Sequence, residues 1–182
     1  MSALDRFLPP VLLWADPALR RVPSDSRMPD TGHTIRLELP SLFEMIDLAQ
    51  AVSDQLGRLL GLDEDSQHWV GVAVRESVIN AIKHGNRYDP AKRVFVEFTV
   101  RPPVAPTELF IVVRDQGEGF DPDALADPLA PENLLKASGR GIFFMRSFMD
   151  DVQIRRAAQG GMEVTMLKRF ARPVTPGDQA PD

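Results

Sequence analysis

The segment from Asp63 to Asn86 has the pattern of an amphipathic helix, and it constrains the fold more than any other stretch of the chain. At about 100° per residue, five apolar residues gather on one side, while Glu76, Asn80 and His84 step by four residues along the other. A solvated polar face is the ordinary interpretation of such a stripe, and a functional one depends on two glycine motifs further along the chain. The five apolar residues are Val70, Val74, Val78, Ala81 and Ile82.

The composition is that of an ordinary globular protein, and it excludes several classes of site. At 182 residues the chain is long enough for one domain with a substantial core and short for two. It has no cysteine, which rules out disulfides, thiolate metal sites and cysteine nucleophiles. The net charge of −5 argues against a broad electrostatic contact with nucleic acid, although a local basic patch stays open.

The two ends of the chain differ from its middle. Residues 1–32 are rich in proline and small polar residues, with one short apolar run from Val11 to Trp14. That run is too short for a signal-peptide core or a membrane span, so we expect an irregular N-terminal extension on a soluble, cytoplasmic protein without membrane contact. We expect the folded domain at 33–170 and a disordered, proline-rich tail at 171–182.

Alternation of apolar and polar residues predicts the strands. Two of them, separated by prolines, have the pattern of an antiparallel pair, and another two close the domain around Gly160 and Gly161. The order of strands and helices implies an α+β, two-layer sandwich with a mixed or mostly antiparallel sheet and helices on one face. The predicted strands are residues 33–39, 93–101, 108–114, 151–156 and 162–170.

A second amphipathic helix is predicted between the first strand and the helix of Glu76. Pro40 ends the strand, and Ser41 is a plausible N-cap for a helix that runs to about Leu60 and is closed by Gly61. Its apolar residues recur at helical spacing, so one stripe is expected to be buried. That stripe consists of Leu42, Met45, Ile46, Ala49, Val52, Leu56, Leu59 and Leu60.

Several common kinds of site have no counterpart in the sequence. No Gly-x-x-x-x-Gly-Lys-Ser/Thr stretch occurs, so the chain is not a P-loop protein. Gly117 and Gly119 lack the third glycine of a dinucleotide fingerprint. The later oxygen ligands of a calcium loop starting at Asp115 are wrongly spaced, and the three histidines are too scattered to form a zinc site.

The first glycine motif is Asp115-x-Gly117-x-Gly119, which follows a predicted strand. Two glycines let the backbone turn sharply and approach a flat ligand closely. A carboxylate only accepts hydrogen bonds, so Asp115 suits the exocyclic amino group of adenine and would reject a carbonyl at the same place. Taken alone, the motif fits an ordinary turn with a capping aspartate better.

The second motif, Gly139-x-Gly141, precedes a short helix predicted from Ile142 to Met149. Free backbone N–H groups at a helix N-terminus bind anions, and glycines allow a phosphate to approach them. Arg140 would add positive charge. A loop with an exposed arginine is an equally good interpretation of this motif by itself.

The three motifs in this order resemble the GHKL ATPase superfamily, which shares the Bergerat nucleotide-binding fold. The elements are Glu-x-x-x-Asn-Ala-x-x-His-Gly from Glu76, Asp-x-Gly-x-Gly-Phe from Asp115, and Gly-x-Gly before a helix. Within the superfamily, the short chain and the run from Gly139 to Asp150 are most similar to the anti-sigma-factor serine/threonine kinases. The resemblance covers about residues 33–170.

The resemblance implies that the protein binds ATP with Mg²⁺, and it assigns roles to particular residues. Asn80 would bind the metal, Glu76 would act as general base on the hydroxyl of a partner, and Asp115 would bind adenine. Residues 121–138 would form a lid over the nucleotide. The other nucleotide-binding residues implied are His84, Gly85, Gly117, Gly119, Ser138, Gly139, Arg140 and Gly141.

One departure from the family pattern affects the expected adenine pocket. Members of the family often have Gly-Thr at the start of the last strand, with the threonine near adenine. Here Met162 follows Gly161, and Thr165 comes three residues later. Either the family threonine has no equivalent in this chain or Thr165 takes its place.

The resemblance implies an anti-sigma factor that binds a sigma factor and phosphorylates a STAS-type anti-anti-sigma antagonist, with a homodimer as a further expectation. Two alternatives stay open. One is a partner-switching binding protein whose nucleotide has a structural role without phosphotransfer. The other is a detached histidine-kinase catalytic domain, although His33, His68 and His84 do not form a phosphoacceptor helix pair. A gyrase-like clamp is disfavoured because no second domain follows residue 170.

Overall fold

The computed structural model describes residues 32–119 and 137–171, of which residues 137–140 and 143 are described by their backbone only. The described residues belong to one structural unit, Thr31–Asp182. The predicted N-terminal extension, most of the lid and the tail beyond residue 171 lie outside the described residues, so these predictions stay predictions.

Five strands form one sheet in the order β1-β2-β3-β5-β4, and every neighbouring pair is antiparallel. The predicted α+β class is confirmed, and the described strands contain no parallel pair. Because β5 pairs antiparallel with β3, the start of β5 lies beside the end of β3. The strands are β1 His33–Pro40, β2 Arg93–Arg101, β3 Glu108–Arg114, β4 Asp151–Arg156 and β5 Met162–Arg169.

Alternation along the strands places the core on one face of the sheet. Phe98 lies opposite Ile111 on β3, and Val96 lies opposite Val113, with all four side chains almost fully buried. The residues between them project from the other face, as the period of two requires. Helices cover the buried face, which gives the expected two layers.

Three helices form the second layer: α1 Met45–Leu60, α2 Glu64–Asn80 and α3 Ala137–Phe148. The α2 helix packs against both α1 and α3, and its predicted apolar residues are all buried. Asp63 caps α2 as predicted, since its Oδ1 accepts a hydrogen bond from the Ser66 N–H at 2.8 Å. That bond lowers the pKa of Asp63. None of the helices in the described part of the chain is long and apolar enough to cross a membrane.

The start of α1 differs from the prediction. The helix begins at Met45, because the chain first makes a turn in which the Met45 N–H donates to the Leu42 carbonyl. Ser41 is therefore a buried residue of this turn and not an N-cap. Leu42 and Leu59, predicted to be buried, are 42% and 41% exposed, so the buried stripe of α1 is narrower than its apolar pattern.

The end of α2 also differs from a regular helix. After Asn80 the chain continues as a π-helical turn, Ala81–Gly85, in which the Asn86 N–H donates to the Ala81 carbonyl at 2.7 Å. Such turns insert an extra residue and are frequent at functional sites. The 3.6-residue period therefore relates Glu76 to Asn80 but does not extend to His84.

The third helix begins earlier than predicted. It starts at Ala137, so Gly139 and Gly141 lie in its first turns and do not precede it. The first four N–H groups of this helix have no partner inside the helix. At the other end, Trp69 of α2 stacks on Phe148 with ring centroids 3.4 Å apart and an angle of 5°. This stack holds the end of α3 against α2.

Candidate functional site

Asp115 lies immediately after β3 and is only 4% exposed. Its Oδ1 accepts the N–H of Gly117 at 2.8 Å and the N–H of Met162 at 3.2 Å. Within the described part of the chain, Oδ2 accepts no hydrogen bond. Burial raises the pKa of Asp115, and the two hydrogen bonds only partly oppose this. The site therefore contains a desolvated carboxylate with one acceptor oxygen left for a ligand.

Three glycines surround this carboxylate so closely that no larger residue fits. A Cβ atom on Gly85 would overlap the Asp115 carboxylate, and one on Gly117 would overlap the carbonyl of Gly85. A Cβ atom on Gly161 would overlap the backbone of Asp115. The structure thus joins the end of the first motif to the whole of the second, and it adds Gly161, which the sequence analysis placed only at a strand boundary.

The third motif meets the first one at Glu76. A Cβ atom on Gly141 would lie 2.7 Å from Glu76 Oε2, so the backbone of α3 lies against this carboxylate. Asn80 follows one helical turn after Glu76 and precedes the Gly85 contact. The contacts at Glu76 and Gly85 are about 13 Å apart along the helix, at about 1.5 Å per residue. The α2 helix therefore connects both ends of the site.

The polar side chains along this stretch are available to a ligand. Glu76 and Asn80 are partly exposed, and neither has a hydrogen bond or ion pair with another residue among those described. His84 is exposed and likewise has no such partner within residues 32–119 and 137–171. An unpaired carboxylate beside an unpaired carboxamide can bind a hydroxyl group and a hard cation, respectively.

Not every predicted residue joins the site. Thr165 lies opposite Val112 and Gln153 in the sheet, whereas the next residue, Met166, contacts Ser77 of α2. Because side chains alternate across a strand, Thr165 points away from the helices, and the structure does not bring it to Asp115. Met162 contacts Asp115 through its backbone instead.

The remaining predicted residues belong to the two glycine motifs. Gly119 has φ +71°, a backbone conformation that favours glycine, and it lies at the last described position before the lid. For Ser138, Gly139 and Arg140 the backbone lies in the first turns of α3. Their side chains lie outside the described part of the structure.

A hydrogen-bonded group that the sequence analysis missed lies behind Asp115. Asn86 is fully buried, donates to the Arg93 carbonyl at 2.9 Å and accepts the Gln116 N–H at 2.8 Å. The Gln116 side chain in turn accepts the Arg93 N–H at 2.7 Å. Asn86 and Gln116 each adjoin a motif residue in sequence, which was the available signal, but only the fold shows that they meet.

Two arginines that the sequence analysis also missed brace the loop after Asp115. Arg156 of β4 donates to the Glu118 carbonyl at 2.6 Å, and Arg87 pairs with the Glu118 carboxylate at 3.1 Å. Both contacts are exposed, so each is worth little in stability by itself. They connect the loop that leads into the predicted lid to β4 and to the turn after α2. No local pattern in the sequence indicates either one.

No preformed metal cage exists in the described parts of the chain, where no group of three or more histidine, aspartate or glutamate residues could hold an ion. A hard cation that keeps several waters and takes one protein oxygen needs no such cage. The Asn80 carboxamide, one turn from Glu76, can supply that oxygen. The residues present therefore fit a metal ion that is bound chiefly through a ligand.

Comparison with known proteins supports the same family. A model of the histidine kinase-like ATPase domain matches residues 39–168, which include all the motif residues. The serine-protein kinase RsbW of Staphylococcus epidermidis is 28% identical over 151 residues, covering 78% of this chain and 89% of that protein. RsbW of Bacillus subtilis (strain 168) is 24% identical over 147 residues, covering 78% and 88%.

A second kind of relative has a different name. The anti-sigma F factor of Oceanobacillus iheyensis is 33% identical over 110 residues, covering 58% of this chain and 71% of that protein. The matched residues include strands β2 to β4, nearly all of β5, the α2 helix and both glycine motifs, and the predicted resemblance to GHKL ATPases is confirmed. The chain belongs to the histidine kinase-like ATPase domain family.

Proposed function

We propose that the protein is an ATP-dependent protein serine/threonine kinase that acts as an anti-sigma factor. One observation carries the proposal: Gly85 lies against Asp115 and Gly141 lies against Glu76, so the three motifs form one site along α2. The names of the relatives, serine-protein kinase and anti-sigma F factor, support the choice of activity.

The adenine end of ATP fits the Asp115 side of the site. The Oδ2 atom of Asp115 offers an acceptor to the exocyclic amino group, and the glycines let the backbone pack closely around this carboxylate. Guanine has a carbonyl oxygen at that position, which would place two hydrogen-bond acceptors against each other. The carboxylate therefore favours adenine. The Met162 N–H donates to the carboxylate at the place in the chain where the family often has threonine.

The phosphate end of ATP fits the Glu76 side. The first turns of α3 present backbone N–H groups that attract an anion, and Asn80 supplies an oxygen ligand for Mg²⁺. When bound, Mg²⁺-ATP supplies the phosphoryl group and the cation that neutralises charge on the phosphate oxygens. His84 directly precedes Gly85 in the chain and is exposed, without a hydrogen bond or ion pair among the described residues, so its side chain is free to contact the nucleotide.

Glu76 is assigned as the general base. Its carboxylate has no partner in the described structure, so it is available to orient the serine or threonine hydroxyl of a partner and accept its proton. A Cβ atom on Gly141 would lie 2.7 Å from Glu76 Oε2, so a larger residue at position 141 would crowd the carboxylate. General bases of this kind contribute roughly 10²–10⁴-fold to the rate.

The partners follow from the same proposal. The protein would bind a sigma factor and phosphorylate a STAS-type antagonist of the anti-sigma activity. A homodimer with α1 or β1 at its interface and a cytoplasmic location are further expectations.

The test is phosphotransfer with purified protein, Mg²⁺-ATP and a STAS-domain antagonist. We expect phosphoserine or phosphothreonine on the antagonist, and loss of at least about 100-fold in rate in Glu76→Gln with ATP affinity retained. Glu64→Gln, an exposed glutamate at the start of α2, serves as matched control. Transfer that survives in Glu76→Gln would contradict the assigned mechanism.

A second candidate function is favoured by Met162, which stands where the family often has threonine. In this second function, ATP controls the binding of partner proteins and no phosphate is transferred to them. The same assay separates the two, because ATP-dependent partner binding without phosphoprotein is expected for the second candidate alone. An acid-labile phosphohistidine on a partner would instead indicate a histidine-kinase catalytic domain.

A further inference from the structure

Asn86 joins three separate parts of the chain behind the proposed adenine pocket. It follows the π-helical turn, is 0% exposed, and uses both ends of its side-chain amide. The Nδ2 atom donates to the Arg93 carbonyl at the start of β2, at 2.9 Å. The Oδ1 atom accepts the N–H of Gln116, just after β3, at 2.8 Å.

Gln116 completes the arrangement from the other side. Its Oε1 accepts the N–H of Arg93 at 2.7 Å, so the two amide side chains together bind both backbone polar groups of Arg93. These groups would otherwise lie at the end of the β2 ladder without partners. The start of β2 is thereby fixed to the end of α2 and to the end of β3.

The sequence positions of these residues connect the network to the site. Asn86 directly follows Gly85, and Gln116 directly follows Asp115. The hydrogen bond between Asn86 and Gln116 therefore lies one residue away from the contact between Gly85 and the Asp115 carboxylate. A bond at this place sets the distance and angle at which the two motif residues meet.

We propose that Asn86 is a positioning residue that holds the Asp115 carboxylate in the orientation needed to select adenine. This inference rests on the proposed nucleotide-binding function and deepens it. Asn86 does not touch the nucleotide, since it lies buried behind Gly85 and both ends of its amide are occupied by the protein backbone.

The chemistry of the position explains why a carboxamide is needed. Asn86 must donate to one backbone group and accept from another, which a carboxamide does with a single side chain. An ionised aspartate keeps the acceptor for Gln116 but places a second acceptor against the Arg93 carbonyl. A serine reaches too short a distance to make both bonds, yet introduces neither a clash nor a charge.

The experiment measures nucleotide selectivity and not stability alone. Wild type, Asn86→Asp and Asn86→Ser are titrated with ATP and GTP in Mg²⁺ by calorimetry, and the folded state of each is checked by circular dichroism and urea unfolding. We expect ATP affinity to fall by about tenfold or more in both variants. The ratio of ATP to GTP affinity should fall with it, and the KM for ATP should rise while kcat stays near that of wild type.

Gln55→Ala is the control. It removes an exposed side-chain amide on α1 that accepts hydrogen bonds from Arg58, outside the Asn86 network, so ATP affinity and selectivity are expected to stay close to those of wild type. The inference is overturned if either folded Asn86 variant binds ATP with the affinity and selectivity of wild type, because the role of Asn86 is then structural only. A wild-type protein without adenine selectivity would contradict the proposed nucleotide site itself. A selective wild type with equally selective Asn86 variants would contradict only the role of Asn86.

Discussion

Gly85 lies directly against the carboxylate of Asp115, so that any side chain at position 85 would overlap it. Gly85 ends the helical part that carries Glu76 and Asn80, and Asp115 follows the central strand β3. This contact converts two motifs that are distant in sequence into one site. This contact is the reason for a glycine at position 85. Gly85 is not among the residues with positive φ, so its backbone conformation alone does not require glycine.

Gly85→Ala is therefore expected to damage the site by overpacking. The added methyl group meets a buried carboxylate that is held by two hydrogen bonds, so the free energy of unfolding should fall by about 1–3 kcal/mol. ATP affinity should fall in parallel. Gly71→Ala on the same helix is the control, because its methyl group meets only the end of the Asp54 side chain. Urea unfolding of both variants measures the difference, and equal stabilities would contradict the interpretation.

Asp115→Asn should separate stability from binding. Burial raises the pKa of Asp115, so folding disfavours its ionised form, and this cost is present above the folded-state pKa. As the pH falls through that raised pKa toward 3.8, the cost disappears. The nucleotide-free variant is therefore expected to be at least as stable as wild type at pH 7. Thermal unfolding across pH should show the difference between the two proteins shrinking on acidification.

The same substitution should lower ATP affinity by about 10–100-fold, because asparagine presents a donor or a weaker acceptor to the adenine amino group. The preference for ATP over GTP should disappear with it. Thermal-shift titrations measure this, since a ligand that binds the native state raises its stability with the logarithm of ligand excess. A variant that keeps full adenine preference would show that Asp115 does not contact the base.

Asn80→Ala should remove the dependence of ATP binding on Mg²⁺. The variant lacks the carboxamide oxygen assigned to the metal, so its ATP affinity in Mg²⁺ is expected to approach that of wild type in chelator. Asn80→Asp keeps an oxygen ligand and should retain a Mg²⁺ effect. Parallel calorimetric titrations with Mg²⁺ and with chelator provide the comparison. Unchanged Mg²⁺ dependence in Asn80→Ala would place the metal elsewhere.

Trp69→Ala tests whether α3 is held in place by its aromatic contact with α2. Trp69 stacks on Phe148 at 3.4 Å and on Phe144 at 5.9 Å, so removing it should cost about 3 kcal/mol in unfolding free energy. ATP affinity should also fall, because α3 carries Gly141. Trp69→Phe keeps a ring and should cost about 1 kcal/mol. Urea unfolding and ATP titration of both variants give the two quantities.

Much of the fold could be predicted from local pattern. The alternation in β2 and β3 and the apolar face of α2 are encoded by neighbouring residues, and they were predicted correctly. The boundaries of two helices were predicted incorrectly. The starts of α1 and α3 were wrong, since a turn at Leu42 and the early onset of α3 at Ala137 depend on packing with the rest of the chain.

The site shows the same division. The sequence alone identified Glu76, Asn80, Asp115 and the glycines, because each motif carries its chemistry in a few adjacent residues. Only the tertiary structure decided that Thr165 faces away from Asp115 and that the backbone of Met162 bonds to it instead. The pairing of β3 with β5 sets these positions, and a strand's partner is fixed by long-range packing and not by its own residues.

The amino-acid sequence by itself determined the alternation of the strands, the two faces of α2 and the order of the three motifs. The tertiary structure decided that these motifs meet, and it added the buried amide of Asn86 that fixes the meeting point. The physical reason is the distance along the chain over which each property is set. Periodicity and motif spacing are local properties, whereas a contact such as Gly85 on Asp115 depends on how a helix and a sheet pack together.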